Sequence, residues 1–77
     1  MTELEIKNLI QAGLECQSVT VTGDGHHFEA FVVSSAFEGK RAVARQQMVY
    51  ATVQPQISSG ELHALSLKTL TPQEANA

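Results

Sequence analysis

His26-His27-Phe28-Glu29-Ala30-Phe31-Val32-Val33-Ser34 is a short, almost continuous apolar run headed by two histidines. Its length and its Phe and Val content favour a strand over a helix. Only Glu29 interrupts the apolar residues between Phe28 and Val33, the pattern of a strand covered on much of both faces and flanked on both sides. The stretch therefore reads as the central strand of a sheet. A histidine at the mouth of such a strand stands where side chains leave the sheet and meet a ligand.

Working outward towards the amino terminus, Gln17 to Gly23 alternates, with Val19 and Val21 on one side and Ser18, Thr20 and Thr22 on the other. That is a half-exposed strand suited to an edge. Gly23-Asp24-Gly25 supplies residues that tolerate positive φ, so the two strands form an antiparallel hairpin with His26 and His27 at its tip or just inside the second strand. Further upstream, Thr2-Glu3-Leu4-Glu5 has the form of a capping box. A helix follows, with Ile6, Leu9, Ile10 and Gly13 at helical spacing and Gly13 near its stop.

Beyond Ser34 the strand pattern ends, and Ser35 to Lys40 reads as a loop with one helical turn. From Arg41 the pattern is helical, with Val43, Gln47 and Tyr50 sharing a side and Arg45 and Gln46 facing water. Pro55 cannot sit deep inside a helix without losing a backbone hydrogen bond. Two helices are therefore expected: one ending near Tyr50, and a second capped by Thr52, with Pro55 in its first turn and Gly60 at its end. Leu62 to Leu70 is the last strand, Leu62 and Ala64 alternating with His63, Leu65 and Leu67. Thr71-Pro72-Gln73-Glu74 either ends the regular pairing or begins a last turn, and residues 72–77 read as a loose tail.

The order is helix, strand, strand, helix, helix, strand, an α+β domain spanning residues 1–77. More than twenty residues of helical pattern separate the second and third strands, a crossover that joins parallel neighbours. The starts of those strands then lie side by side, and they carry His27 and His63. Topology alone brings the two distant imidazoles to one end of the sheet.

Composition bounds what such a site can be. The 77 residues are 43% hydrophobic and 17% charged, which is globular rather than disordered. One cysteine, Cys16, excludes an intramolecular disulfide and an all-cysteine metal site, so a reducing, cytoplasmic setting is expected. No apolar run reaches membrane-spanning length and the amino terminus lacks a basic leader, so no membrane association is expected. A formal charge of −3 argues against a general nucleic-acid coat. Even so, three of the five basic residues, Lys40, Arg41 and Arg45, cluster at the start of the second helix. The cluster is either a solvated helix start or a docking surface for an acidic partner.

Two imidazoles at one sheet end can bind a metal, act as general acid and base, or do no more than satisfy hydrogen bonds. Nothing else completes an enzyme: there is no glycine-rich phosphate loop, no histidine pair at i and i+4, and no nucleophile with its base. A non-enzymatic protein is expected.

Several stretches carry a family likeness. Gly23-Asp24-Gly25-His26-His27-Phe28, Phe37-Glu38-Gly39, Val43-Ala44-Arg45-Gln46-Gln47-Met48-Val49-Tyr50, and Leu62-His63-Ala64-Leu65-Ser66-Leu67-Lys68-Thr69 with Thr71-Pro72 resemble the BolA family, especially its short, acid-responsive IbaG-like (YrbA-like) branch. The resemblance implies a class II KH-like fold. It implies a [2Fe-2S] cluster shared with a monothiol glutaredoxin and glutathione, to which His63 supplies one ligand and His27 a second. It implies iron-sulfur cluster assembly or trafficking as the function, with stress-linked DNA binding through Lys40, Arg41 and Arg45 as the runner-up. The isolated chain is then expected to carry no cluster and to be a monomer or weak homodimer. Two departures from the family pattern stand out. Tyr50-Ala51-Thr52-Val53 occupies the turn where a nucleic-acid-binding KH module carries Gly-x-x-Gly, and Ala75 replaces the tryptophan after Thr-Pro-x-Glu.

Overall fold

The computed structural model describes all 77 residues. Helix α1 (Glu3–Gly13) leads into strands β1 (Ser18–Gly23) and β2 (His27–Val33); a single 3-10 turn (Ser35–Phe37) precedes helices α2 (Ala42–Thr52) and α3 (Gln54–Ser59), then strand β3 (Ala64–Leu70) and a short helix α4 (Pro72–Ala75). The three-stranded sheet has the order β1-β2-β3. β1 pairs antiparallel with β2, and β3 runs parallel to it, so β2 is central and the sheet is mixed.

Each boundary has a local cause. The Thr2 hydroxyl accepts from the Glu5 amide while the Glu5 carboxylate accepts from the Thr2 amide, and α1 starts there. These bonds hold the Glu5 carboxyl below its ordinary range. Ile6 and Ile10 turn inward. They meet Val19, Phe28, Ala30 and Val32 of the hairpin, Phe37, Val49, Val53 and Leu62 in one buried cluster. Ser34 is buried too, its hydroxyl donating to the Glu15 carbonyl and accepting from the Ala36 amide.

All helices that pack on the sheet lie on one face of a three-stranded mixed sheet, as the order of elements leads one to expect; only the reading of the β2 run itself as covered on much of both faces is corrected. Phe28, Ala30 and Val32 are buried, while Phe31 is 42% exposed on the open face beside Thr20 and Lys68. The β2 run looks continuous only because an aromatic residue sits on its solvent side.

The helical register of α2 also differs from expectation. Val49 and Val53 point into the core, with Met48 against it, whereas Val43 is 69% exposed and Gln47 is exposed. The expected face was set by Val43 and Tyr50, but Tyr50 lies at the margin of the core, where its hydroxyl donates to the Leu65 carbonyl at 2.7 Å. Helix α2 continues to Thr52, whose hydroxyl donates to the Val49 carbonyl instead of capping α3. Val53 is the shared cap residue, and Pro55 falls in the first turn of α3. Gly60 closes α3 in the left-handed conformation.

Strand β3 begins at Ala64, two residues later than expected, and the alternation read through Leu62 is broken by the non-strand residues before it. Leu62 is buried although it stands on the same alternation as Ala64, because its chain segment is still leaving α3, with the Leu62 amide donating to the Gln56 carbonyl. Residues 72–75 form a helical turn, the second of the two readings of Thr71-Pro72-Gln73-Glu74, so the loose tail expected over 72–77 is confined to the last residues. Thr71 and Glu74 make a second capping box around it, and Glu74 is pinned from outside by Arg45.

Candidate functional site

The hairpin tip is organised by Asp24. Its Oδ1 accepts from the amides of His26 (2.9 Å) and His27 (2.8 Å), and these bonds, that of His27 foremost, hold the Asp24 carboxyl below its ordinary range. Gly25 takes φ +96°, a conformation that an L side chain strains to adopt. Gly23 is needed for a different reason, since a Cβ there would lie 2.5 Å from the Phe28 ring and 2.7 Å from the His27 carbonyl oxygen. The turn thus delivers His27 to the first position of β2, exposed, on the open face of the sheet.

In the parallel pairing His27 stands opposite Ala64. His63 immediately precedes Ala64 and is exposed. Adjacent strands lie about 4.8 Å apart and advance about 3.3 Å per residue. The two imidazoles therefore belong to one sheet end, as topology required. His27 Nε2 lies 3.2 Å from Ser66 Oγ. Whichever group donates in that bond, Nδ1 is the ring nitrogen left uncommitted. His26 is exposed in the turn itself.

His63 is held by its neighbours on both sides. Leu62 is buried and tied to α3, and Leu65 accepts from Tyr50 of α2. No group of three or more His, Cys, Asp or Glu side chains converges anywhere in the chain. The arrangement is therefore two nitrogen donors on an open edge, able to complete a site whose other ligands come from another molecule.

The basic cluster is divided. Lys40 and Arg41 are exposed, but Arg45 is not the water-facing residue expected of it. Its guanidinium donates to Glu74 at 2.7 and 3.4 Å and to the Lys40 carbonyl at 2.8 Å, with only 14% of its side chain exposed. The Arg45 bonds and the Thr71 amide lower the Glu74 carboxyl to about 2. Cys16 lies at the far end of the sheet, next to the Gln17 amide that bonds Val33. Its Sγ donates to the Leu14 carbonyl at 3.2 Å, and burial pushes the thiol up.

Four supporting residues were missed in the sequence: Asp24 as acceptor, Ser66, Tyr50 and Glu74. Asp24 was legible, since an aspartate between glycines is a turn acceptor. Glu74 was half legible, as the fourth residue of Thr-x-x-Glu. Ser66 and Tyr50 act only through register and packing, which carry no local signal.

The family model for BolA-like proteins matches residues 2–74. This chain belongs to the BolA family. Among BolA relatives, it is 38% identical over 74 residues to the acid stress protein IbaG of Escherichia coli, covering 96% of this chain and 88% of that protein. It superposes on a BolA protein homologue from Coxiella burnetii with a TM-score of 0.87 and 42% identity, covering 100% of this chain and 99% of the other. The BolA domain of SufE1 from Arabidopsis thaliana matches with a TM-score of 0.81 and 31% identity, over 94% of this chain and 93% of that one. These BolA structures share the α+β architecture described above. No helix of the chain is long and apolar enough to cross a membrane.

Proposed function

We propose that this BolA-family protein is a cytoplasmic, non-enzymatic adaptor in iron-sulfur cluster assembly or trafficking. Its partner is a monothiol glutaredoxin, with which it holds a bridging [2Fe-2S] cluster. The observation that carries the reading is the pair of exposed imidazoles, His27 and His63, at one end of parallel strands β2 and β3. Two nitrogen donors suit a cluster whose thiolates come from the glutaredoxin cysteine and glutathione. Imidazole in place of thiolate on one iron raises the cluster's reduction potential.

The chain's own contribution is positional. His63 is the principal ligand, fixed between the anchored Leu62 and Leu65, and His27 is the second, its ring oriented by Ser66. Each would donate the lone pair of one ring nitrogen to the cluster. Lys40 and Arg41 offer a docking charge for an acidic surface. DNA binding through that helix start is the weaker reading, because Arg45 is already committed to Glu74.

The test is anaerobic reconstitution with a monothiol glutaredoxin and glutathione, measuring iron, sulfide, stoichiometry and visible circular dichroism. His63→Ala is expected to abolish the parent cluster spectrum while keeping the far-ultraviolet signal of the fold. His27→Ala is expected to shorten the cluster's lifetime more mildly, since water or His26 can compensate. A His63→Ala complex with the parent's spectrum and lifetime removes the metal reading of this site.

A further inference from the structure

β1 is an edge strand with no protection against further pairing. Edge strands are blunted by charge, proline or a bulge, yet Ser18-Val19-Thr20-Val21-Thr22-Gly23 carries none of these and pairs with β2 in unbroken register. The other edge is guarded differently, with Lys68 in β3 and Pro72 just beyond it. At the hairpin end the Asp24 amide donates to the His27 carbonyl. Antiparallel bonding alternates from there, so Thr22, Thr20 and Ser18 bond inward to β2. The amides and carbonyls of Val19 and Val21 face outward.

Beside this edge runs a groove between β1 and α1, about 270 Å³, lined by Glu3, Leu4, Lys7, Val19, Thr20 and Val21. Leu4 is 64% exposed in it. Glu3 and Lys7 stand one helical turn apart, one acid and one base. That pattern is complementary to itself under a two-fold rotation, which reverses the helix and brings Glu3 of one copy opposite Lys7 of the other.

We propose that the β1 edge and the α1 groove form the contact between two copies of this chain, paired antiparallel about a two-fold axis through Thr20. Val19 of each copy then exchanges backbone hydrogen bonds with Val21 of its partner. The two Thr20 side chains meet on the open face as a directly opposed, non-hydrogen-bonded pair, and the Leu4 side chains cover each other along the paired α1 helices. The result is a continuous six-stranded sheet. His27 and His63 lie at the β2–β3 end of each half, clear of the axis, so the contact leaves both imidazole pairs open. It stands independently of the proposed cluster function.

A contact built from one strand pairing and one helix pairing is expected to be weak, with dimerisation sought at about 10 μM to 1 mM. Sedimentation velocity and amide exchange on the intact chain across that range test it. Dimerisation that protects the Val19 and Val21 amides as concentration rises is the expected result. Thr20→Lys sets like charges directly opposite on an exposed position and is expected to give a folded monomer. Glu3→Lys is expected to weaken the dimer at least tenfold, and Glu3→Lys with Lys7→Glu to restore it. A chain that stays monomeric at about 1 mM overturns the proposal. So does a dimer indifferent to Thr20→Lys or to the charge swap, or an edge protected only when a different protein is added.

Discussion

Replacing Gly23 by alanine tests how the hairpin holds His27. The new Cβ would stand 2.5 Å from Cδ1 of Phe28 and 2.7 Å from the His27 carbonyl oxygen. Neither neighbour yields readily: Phe28 is 2% exposed in the core, and the His27 carbonyl is backbone, bonded by the Asp24 amide. Forcing a methyl into a filled site costs about 1–3 kcal/mol. Alanine recovers roughly 0.5–1 kcal/mol of the backbone entropy that glycine loses in a strand. Two contacts under 3.0 Å put the steric cost in the upper part of that range, at about 1.5–3 kcal/mol, so the net loss is about 0.5–2.5 kcal/mol, a fall in Tm of roughly 2–20 °C for a domain of this size. Gly25→Ala is the control, because nothing lies within 4 Å of its Cβ and its cost comes from φ +96° alone. In urea and thermal denaturation, Phe28→Leu is expected to relieve Gly23→Ala with a coupling of about 0.5–3 kcal/mol, and to leave Gly25→Ala unrelieved. A Gly23→Ala chain within about 0.5 kcal/mol of the parent, or strictly additive double variants, would refute the steric argument.

Tyr50→Phe removes the donor to the Leu65 carbonyl while keeping the ring. It is expected to cost about 1–2 kcal/mol by chemical denaturation and to increase amide exchange from Ala64 to Ser66, next to His63. The Arg45–Glu74 tether is the acid-resistant element of the chain. Glu74 is lowered from an ordinary 4.5 to about 2, so its contribution to stability is complete above the unfolded value, falls progressively below it and is gone once pH has passed through about 2, while the folded ion pair itself titrates near 2. Resonances of α4 and of the Arg45 guanidinium are therefore expected to hold from neutral pH to about pH 4 and to shift on approach to 2, with Glu74→Gln loosening α4 across the range in which parent Glu74 is charged.

What was legible in the sequence was whatever local chemistry dictates. The capping box at Thr2, the Gly-Asp-Gly turn and the crossover length all act over a few residues or through chain topology, and together they brought His27 and His63 to one sheet end. The failures share a different cause. Val43 and Tyr50 suggested one buried face for α2, but the angular position of a helix is set by what it packs on, and Val49 and Val53 fill the core instead. Arg45 looked water-facing because Glu74, twenty-nine residues away, is invisible in a local window. Phe31 made β2 look doubly covered, since hydropathy does not say on which side of a sheet the helices lie.

The two imidazoles reach the same place by different supports that meet in β3, and this bears on how they work as a pair. His27 rests on the hairpin, through Asp24, Gly23 and the bond to Ser66. His63 rests on the helical layer, through Leu62 tied to Gln56 of α3 and Leu65 tied to Tyr50 of α2. A partner that docks on α2 and α3 would therefore bear on His63 directly and on His27 only through β3, by its bond to Ser66. Under the proposed cluster reading, that asymmetry is the physical reason to place the coupling between docking and cluster at His63, whose supports reach the helices directly, before His27.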